Sequence, residues 1–167
     1  PEGHVVHRQA RELNTLFGEK VVQVSSPQGR FAQSASVVNR TAFIKAHAFG
    51  KRLFVNFEQG NVIHIHLGLY GKWTFLDHVP EPIGLIRLQI STPDACAQLR
   101  GPNACALISP PEMKIMKAQI GPDPIRKDDP GIARTKALAS ATPIGVLLMD
   151  QTLFAGVGNI YRAEVLF

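Results

Sequence analysis

Cysteine is scarce in this chain of 167 residues, which contains only Cys96 and Cys105. Two cysteines cannot supply the disulfide framework of a small secreted protein, nor a four-thiolate zinc site. We therefore expect both to be small core residues in a protein of the reducing cytoplasm, and we expect no metal or other cofactor in this chain.

Long apolar runs are also missing. No run approaches the roughly 18 residues that a membrane-spanning helix needs. The first residues, Pro1 to His4, lack the basic and apolar stretches of a secretory signal. The sequence thus predicts no membrane partner. Apolar residues still make up 45% of the chain and charged residues 19%, a balance that provides a core and excludes a disordered protein.

Acidic residues are outnumbered by basic ones. The chain has 13 Asp and Glu against 18 Lys and Arg, which gives a net charge of +5 with histidine neutral. This balance permits a polyanionic partner such as nucleic acid, although many domains without such a partner share it.

The apolar pattern divides the chain into three parts. Val6, Ala10, Leu13 and Phe17 recur at helical spacing and predict a first helix, which Gly18 ends. Short runs with turn residues between them then predict strands within residues 21–24, 42–45, 51–58, 61–75, 85–90 and 104–108. Many short strands at this spacing favour an antiparallel sandwich or barrel.

The remainder of the chain is predicted to be helical. Pro110-Pro111 closes the β region, and Gly121-Pro122-Asp123-Pro124 marks a break after it. Helices are expected from about residue 128, over residues 143–151 and over residues 159–167. The predicted fold class is α+β, with an N-terminal helix and antiparallel β-sandwich in residues 1–110 and a helical module in residues 111–167. The last helix stops in mid-pattern at Phe167, so we expect the natural protein to continue.

The N-terminus is the first candidate for chemistry. A terminal amine has an ordinary pKa of about 7.7–8.0, against about 10.4 for lysine. If Pro1 is the true terminus, its amine can attack an electrophilic carbon and form an iminium, with Glu2 beside it as general acid or base. The alternative interpretation is that Pro1 merely follows a removed methionine.

Three turns are candidates for binding. Gly50 precedes the cations of Lys51 and Arg52, which suits phosphate but also describes an ordinary solvated turn. Leu69-Tyr70 follows a predicted strand and is able to wedge into a base stack or to cap the core. Gly158-Asn159 precedes the last helix and predicts either an anion site or a plain helix cap.

Two pairs of histidines have a spacing that metal ligands can show, but we do not interpret them as metal sites. His64 and His66 alternate along one strand, and His4 and His7 share one helical face. Neither pair has a third ligand nearby or a zinc motif, so we predict that none of the four binds metal.

The order of these features resembles the formamidopyrimidine-DNA glycosylase/endonuclease VIII family. The segments that carry the resemblance are Pro1-Glu2-Gly3, Gly50-Lys51, His66-Leu67-Gly68-Leu69-Tyr70-Gly71, Leu148-Met149-Asp150-Gln151 and Ala155-Gly156-Val157-Gly158-Asn159-Ile160-Tyr161. The Leu69-Tyr70 turn is closer to the endonuclease VIII branch, and the sequence as a whole resembles actinobacterial members.

The resemblance implies a bifunctional DNA glycosylase and abasic-site lyase of base excision repair that acts on oxidised bases. It implies a helix–two-turns–helix motif in the helical module. Pro1 would attack C1′ of the damaged nucleotide, Glu2 would protonate the sugar ring oxygen, and Lys51 would hold a phosphate beside the lesion.

The resemblance also implies how DNA is held. The implied DNA-binding residues are Arg52, Gly158, Asn159 and Tyr161, and the residues that fill the gap left by a flipped base are Gly68, Leu69 and Tyr70. The implied partner is double-stranded DNA with oxidised bases or abasic sites, bound by a monomer in the bacterial cytoplasm near the nucleoid.

The sequence departs from the family pattern in two respects. Family members usually continue into a C-terminal finger with one structural zinc, and nothing of that finger is in this sequence; Cys96 and Cys105 do not match its positions. Gly145-Val146 stands where many relatives carry a basic residue. We therefore expect the chemistry to be intact and DNA affinity to be reduced. The alternatives are a non-catalytic DNA-binding fragment and a small-molecule tautomerase that uses Pro1 as base.

Overall fold

A computed structural model describes the whole chain, Pro1–Phe167. The helices are α1 (Gly3–Phe17), α2 (Ala32–Val38), α3 (Pro110–Ala118), α4 (Gly131–Ala139), α5 (Ile144–Leu147) and α6 (Asn159–Leu166). The strands are β1 (Lys20–Ser25), β2 (Thr41–Phe49), β3 (Arg52–Phe57), β4 (Val62–His66), β5 (Lys72–Leu76), β6 (Ile86–Thr92), β7 (Ala95–Arg100) and β8 (Ala104–Ile108).

The eight strands are antiparallel and follow the order β5-β7-β6-β1-β2-β3-β4-β8. Strand β1 links two halves of the sheet, because residues 20–22 pair with β2 and residues 23–25 pair with β6. Apolar side chains from both halves, such as Val55 and Leu99, meet in one core cluster of 24 residues. The prediction of a mixed helical and antiparallel β fold is confirmed.

Helix α1 packs its apolar stripe into this core, as its spacing predicts: Val6 and Leu13 are fully buried. Strand β3 is buried on both faces. Leu53 and Val55 point into the main core, while Phe54 belongs to a smaller cluster under α3. This double burial is why the apolar run of β3 is nearly continuous. Burial on both faces also holds the start of β3 in place, and with it the Lys51 turn that precedes this strand.

The sequence analysis did not predict three of the elements, α2, β7 and α3. The clearest case is α3, since Pro110-Pro111 opens this helix rather than only closing the β region. Proline is tolerated in the first turn, where its missing N–H has no helical partner. Ser109 and Glu112 form a capping box there, with Glu112 N donating to Ser109 Oγ at 3.3 Å.

Two predicted elements are shorter than expected. The run over residues 61–75 is broken into β4 and β5 by a turn in which Gly71 N donates to Leu67 O at 2.9 Å. The helix predicted over residues 143–151 ends at Leu147, because turns follow it up to Gly156. No helix in the structure is both long and apolar enough to cross a bilayer.

Helix α3 packs on the sheet through Met113 and Met116, which contact the cluster of Phe54, Val62 and Ile108. The linker 119–130 then leads to α4, α5 and α6. We keep the division into residues 1–110 and 111–167 as a proposal, in which α3 joins the two parts.

Candidate active site

The Glu2 carboxylate lies at the N-terminus of α6, more than 150 residues away in sequence. It accepts hydrogen bonds from the backbone N–H groups of Ile160 at 2.7 Å, Gly158 at 3.1 Å and Tyr161 at 3.2 Å. Only 8% of the residue is exposed. Of the two alternatives, an anion site and a plain helix cap, the structure has the anion site, and the anion is a carboxylate of the same chain.

This environment keeps Glu2 ionised. Burial acts to raise the pKa of Glu2, but the three backbone N–H donors and the positive charge of Lys51 outweigh it, so that the pKa is lowered. A carboxylate with several backbone donors favours its charged form for this reason. At neutral pH Glu2 is thus a base.

Three glycines allow the N-terminus, the Lys51 turn and the loop before α6 to pack closely against one another. Gly3 N donates to Gly156 O at 2.8 Å, and Gly156 adopts a φ of +90°. A Cβ on Gly3 would lie 2.9 Å from Gly156 Cα, and one on Gly50 would lie 2.9 Å from the Cβ of Ala155. These contacts bring the N-terminus, the Lys51 turn and the loop before α6 together.

Gly158 plays a separate part, because it faces the Glu2 side chain. A Cβ at this position would lie 2.5 Å from Glu2 Cγ and 2.6 Å from Glu2 Cδ. Both atoms belong to a side chain held by three hydrogen bonds, so it has little freedom to move aside. Any larger residue at position 158 would displace the carboxylate.

An open cleft of about 620 Å³ brings most of the predicted site residues together. Those that line it are Pro1, Glu2, Lys51, Gly68, Leu69, Gly158 and Asn159. Pro1 is exposed at the cleft. Asn159 is the first residue of α6 and not its cap, which is Gly158.

The turn after β4 projects two large side chains into solvent. Leu69 is 90% exposed and Tyr70 is 85% exposed, whereas the neighbouring Leu67 is buried. Gly68 supports the turn with a φ of +65°, a conformation that favours glycine. Leu69 lines the cleft, and Tyr70 lies outside its lining.

Two predicted DNA-binding residues have other contacts. Arg52 lies outside the cleft, and its Nη1 donates to His64 Nε2 at 3.1 Å. Tyr161 gives its backbone N–H to Glu2, and its ring packs edge-on against His4 with 4.9 Å between centroids. The backbone donors of Gly158 and Tyr161 are therefore occupied by Glu2.

His66 also lines the cleft, although the sequence analysis did not name it as a site residue. Its Nδ1 donates to Lys51 O at 3.4 Å. Burial lowers the pKa of His66; the hydrogen bond to Lys51 opposes this, and the charges of Arg52, Lys51 and the N-terminal amine lower it further. The sequence did contain a signal for this residue, because His66 begins the segment His66–Gly71 that carries the family resemblance.

Asp123 is the other residue that the sequence analysis missed, since it was interpreted as part of a Gly-Pro-rich break. It is 1% exposed, and its Oδ2 accepts from Gly50 N and from His7 Nε2, both at 2.7 Å. Its Oδ1 accepts from Ile125 N at 2.9 Å. Asp123 thus links α1, the turn before Lys51 and the linker.

Gln151 stabilises the glycine-containing loop before α6 through its side-chain amide. Its Nε2 donates to Val157 O at 2.9 Å, and its Oε1 accepts from Gly156 N at 2.8 Å. Both groups of the amide are used within the loop, which presents Gly158 to Glu2.

Comparison with known proteins identifies the family. The family model described as the formamidopyrimidine-DNA glycosylase N-terminal domain matches residues 1–102, and the formamidopyrimidine-DNA glycosylase H2TH domain matches residues 120–167. The chain belongs to the formamidopyrimidine-DNA glycosylase family. The H2TH match covers α4, α5 and α6, so the predicted helix–two-turns–helix module is confirmed as part of the fold.

Relatives within the family include endonucleases. The chain is 46% identical to Endonuclease 8 1 of Mycobacterium tuberculosis (strain ATCC 25618 / H37Rv) over 173 residues, which cover 100% of the chain and 65% of that protein. It is 26% identical to Endonuclease 8 of Escherichia coli O17:K52:H18, with 100% of the chain and 67% of that protein covered. The chain thus spans about two thirds of the length of these relatives.

Solved structures of the family share the fold. A complex between the Lactococcus lactis Fpg and an abasic site containing DNA superposes with a TM-score of 0.82 at 26% identity, over 99% of this chain and 66% of that one. The structure of MutM in complex with carbocyclic 8-oxo-G containing DNA gives a TM-score of 0.83 at 25% identity, over 99% and 68%.

The family's structural zinc does not fit the residues of this chain. No group of three or more His, Cys, Asp or Glu side chains is placed to hold a metal ion. Cys96 and Cys105 lie on β7 and β8, and burial raises the pKa of the Cys105 thiol to about 12. A thiol of this kind is a poor metal ligand, because the thiolate is the form that binds.

Proposed function

We propose that this protein is a DNA glycosylase that removes oxidised bases and then cleaves the strand as an abasic-site lyase. The observation that carries the proposal is the position of Pro1, exposed in the cleft beside a buried, ionised Glu2 and the cation of Lys51. Family membership and the endonuclease names of its relatives support a glycosylase. The iminium route and the lyase step are our own proposal.

The ionised state of Glu2 determines the order of proton transfers. The Pro1 nitrogen donates its electron pair to C1′, and the N-glycosyl bond breaks as the base leaves with its electrons and takes up a proton. Glu2 then accepts the proton that the attached nitrogen sheds and passes it to the sugar ring oxygen. The ring opens, and an iminium links Pro1 to C1′.

The iminium makes the second step possible because it draws electrons from C2′. Loss of a C2′ proton to a base leads to cleavage of the C3′–O3′ bond, with the strand phosphate as leaving group. Water then hydrolyses the iminium and releases Pro1. Lys51 stabilises the phosphate charge at the mouth of the cleft.

The exposed turn of Gly68, Leu69 and Tyr70 fits the need to flip the damaged nucleotide. Neighbouring exposed apolar side chains beside a cleft are typical of a surface that contacts a partner. We propose that both side chains enter the gap in the base stack. Extrusion costs a few kcal/mol and is least for damaged bases, which gives selectivity.

Contacts with the DNA backbone are assigned to side chains that remain free. Asn159, at the start of α6, lines the cleft, and its side chain is proposed to bind phosphate. Gly158 and Tyr161 support this contact indirectly by holding Glu2 and α6 in place. Arg52, which lies outside the cleft, is proposed to contact the DNA backbone through the guanidinium N–H groups that His64 leaves free. We propose double-stranded DNA as the partner, in the bacterial cytoplasm at the nucleoid, as the bacterial relatives suggest.

Borohydride trapping tests the function directly. A duplex with an abasic site is incubated with the protein and reduced, and an iminium at Pro1 becomes a stable covalent adduct of defined mass. We expect the adduct to map to Pro1 and to disappear when the terminal nitrogen is acetylated, because an amide nitrogen cannot form an iminium. DNA binding with no adduct would support a non-catalytic DNA-binding protein, and enolisation of keto acids without DNA binding would support a tautomerase.

A further inference from the structure

His4 is a titratable side chain of the cleft without a role in the reaction steps proposed above. It lines the cleft together with Pro1 and Glu2, and the residue is exposed. It is the second residue of α1, and the start of this helix is fixed by the hydrogen bond from Gly3 N to Gly156 O at 2.8 Å. The same contact therefore positions Pro1, Glu2 and His4 relative to the loop before α6.

The His4 ring has one aromatic neighbour, and its nitrogen atoms are free. The ring packs edge-on against that of Tyr161, with 4.9 Å between centroids. The histidine rings that form hydrogen bonds are those of His7, His64, His66 and His78. His4 forms neither a side-chain hydrogen bond nor an ion pair. Tyr161 thus orients the imidazole, and both nitrogens stay available to a substrate.

The other titratable side chains of the cleft are less suited to donate a proton. The Glu2 carboxylate accepts three backbone hydrogen bonds and is ionised. Burial lowers the pKa of His66, which favours its neutral form, and its Nδ1 is bonded to Lys51 O. A lysine ammonium releases its proton less readily than an imidazolium, since the ordinary pKa values are about 10.4 and about 6.5. His4 is therefore the candidate for a proton donor.

The position of His4 favours contact with the base of a bound nucleotide. Lys51 and His66 line both the cleft and a neighbouring cavity of about 360 Å³, whereas His4 and Val5 line only the cleft. Lys51 is the residue proposed to hold a phosphate. In a nucleotide whose C1′ lies at Pro1, the base projects from C1′, away from the C3′ and C5′ oxygens that carry the phosphates. The base then occupies the part of the cleft that His4 and Val5 line.

We propose that His4 is the general acid that protonates the departing base, a role that rests on the proposed function. The Pro1 nitrogen gives its electron pair to C1′, and the N-glycosyl bond breaks with its electrons on the base. The His4 imidazolium donates one proton to the base, which leaves as a neutral molecule. The neutral imidazole regains a proton from solvent, because the residue is exposed. Glu2 remains free to move the proton from the Pro1 nitrogen to the ring oxygen.

A comparison of base excision with cleavage at a preformed abasic site tests this role, because the abasic substrate has no base to protonate. One duplex carries thymine glycol, and the other carries an abasic site at the same position. In His4→Gln and in His4→Phe, we expect single-turnover excision to fall about a hundredfold, within the range of general acid catalysis. Cleavage of the abasic duplex and borohydride trapping at Pro1 should be unchanged.

The two variants separate proton transfer from packing. Phenylalanine keeps a ring against Tyr161 but has no proton to give, and the glutamine amide donates hydrogen bonds without acting as an acid. His78→Gln is the matched control, because His78 is exposed and lies outside the cleft. Thermal unfolding checks that each variant is folded. Full excision by His4→Phe, or equal losses of excision and of abasic-site cleavage, would overturn the assignment.

The acidity of the departing base gives a second measure. A base that forms a stable anion needs less help from an acid. Formyluracil has an electron-withdrawing carbonyl group, whereas thymine glycol has a saturated ring. Excision of formyluracil should therefore lose less in His4→Gln than excision of thymine glycol does. The same loss for both bases would argue against proton transfer from His4.

Measurements on wild type keep this role separate from the proposed function. If wild type shows neither trapping nor excision, the glycosylase and lyase proposal fails. Trapping without base release would leave a lyase alone and would also remove the role of His4. Normal trapping and excision in wild type, with undiminished excision in both His4 variants, would overturn the role of His4 and leave the proposed function standing.

Discussion

His7 Nε2 and Asp123 Oδ2 lie 2.7 Å apart in the interior, 116 residues distant in sequence. The same oxygen accepts from Gly50 N, so one buried carboxylate joins the helix that carries Pro1 and Glu2 to the turn that carries Lys51. The catalytic geometry that we propose depends on this junction. None of these three residues lines the cleft itself.

Replacing Asp123 should therefore damage both stability and activity. Asp123→Ala leaves the buried N–H of Gly50, the N–H of Ile125 and the His7 ring without their acceptor. We expect a loss of about 2–4 kcal/mol in the free energy of unfolding. Denaturant unfolding measures it, and Asp94→Ala, at an exposed turn, should change stability by less than about 0.5 kcal/mol. Equal effects of the two variants would contradict the junction.

Gly158→Ala tests the contact between the last module and Glu2. The new Cβ would meet Glu2 Cγ at 2.5 Å and push the carboxylate away from its three donors. We expect base excision to fall by at least about a hundredfold, the range of general acid–base catalysis. Gly145→Ala is the control, because its Cβ would meet only Leu166 at 3.4 Å. Normal excision by Gly158→Ala would remove Glu2 from the mechanism.

The pH dependence of stability should report Glu2. Its pKa in the folded state lies below the ordinary value, so its contribution is complete above the pKa of the unfolded chain, about 4.3. The contribution is lost as the pH falls through the lowered value. Glu2→Gln should thus be less stable than wild type at pH 7, with the difference shrinking towards pH 3. A difference that does not depend on pH would argue against an ionised Glu2.

His47 should affect stability at higher pH than Glu2. Burial, with the charges of Lys117, Arg126 and Lys45, lowers the pKa of His47 to about 4, and its Nε2 is buried without a partner. Because the unfolded chain takes up a proton near pH 6.5 and the folded chain does not, stability falls as the pH drops from about 6.5 to 4. His47→Phe should reduce that fall by at least about 1 kcal/mol in urea unfolding. An unchanged slope would contradict burial of a neutral ring.

Leu69→Ala separates function from folding. The side chain is 90% exposed, so stability should change by less than about 0.5 kcal/mol, while excision from duplex DNA should fall. Leu67→Ala, only two positions away and buried, should instead cost about 2–4 kcal/mol. Thermal unfolding and excision kinetics are measured together. Full excision by Leu69→Ala would contradict a role in filling the gap.

The local pattern of the sequence determined the type of most elements. The spacing of Val6, Ala10 and Leu13 predicted α1, because side-chain periodicity follows directly from backbone geometry. The short apolar run between turn residues predicted β3 as a strand. The local pattern missed α3, whose prolines are compatible with both the end of a strand region and the first turn of a helix. The sequence also indicated candidate site residues near both ends of the chain.

Only the tertiary structure decided what those residues contact. The sequence left open whether the N–H groups before α6 bind an anion or only cap the helix, and in the fold they bind Glu2. Asp123 looked like part of a break between segments, and the fold made it the acceptor for His7 and Gly50. Such long-range hydrogen bonds depend on how the N-terminal helix, the sheet and the last module pack together, and no periodicity within a segment encodes that packing.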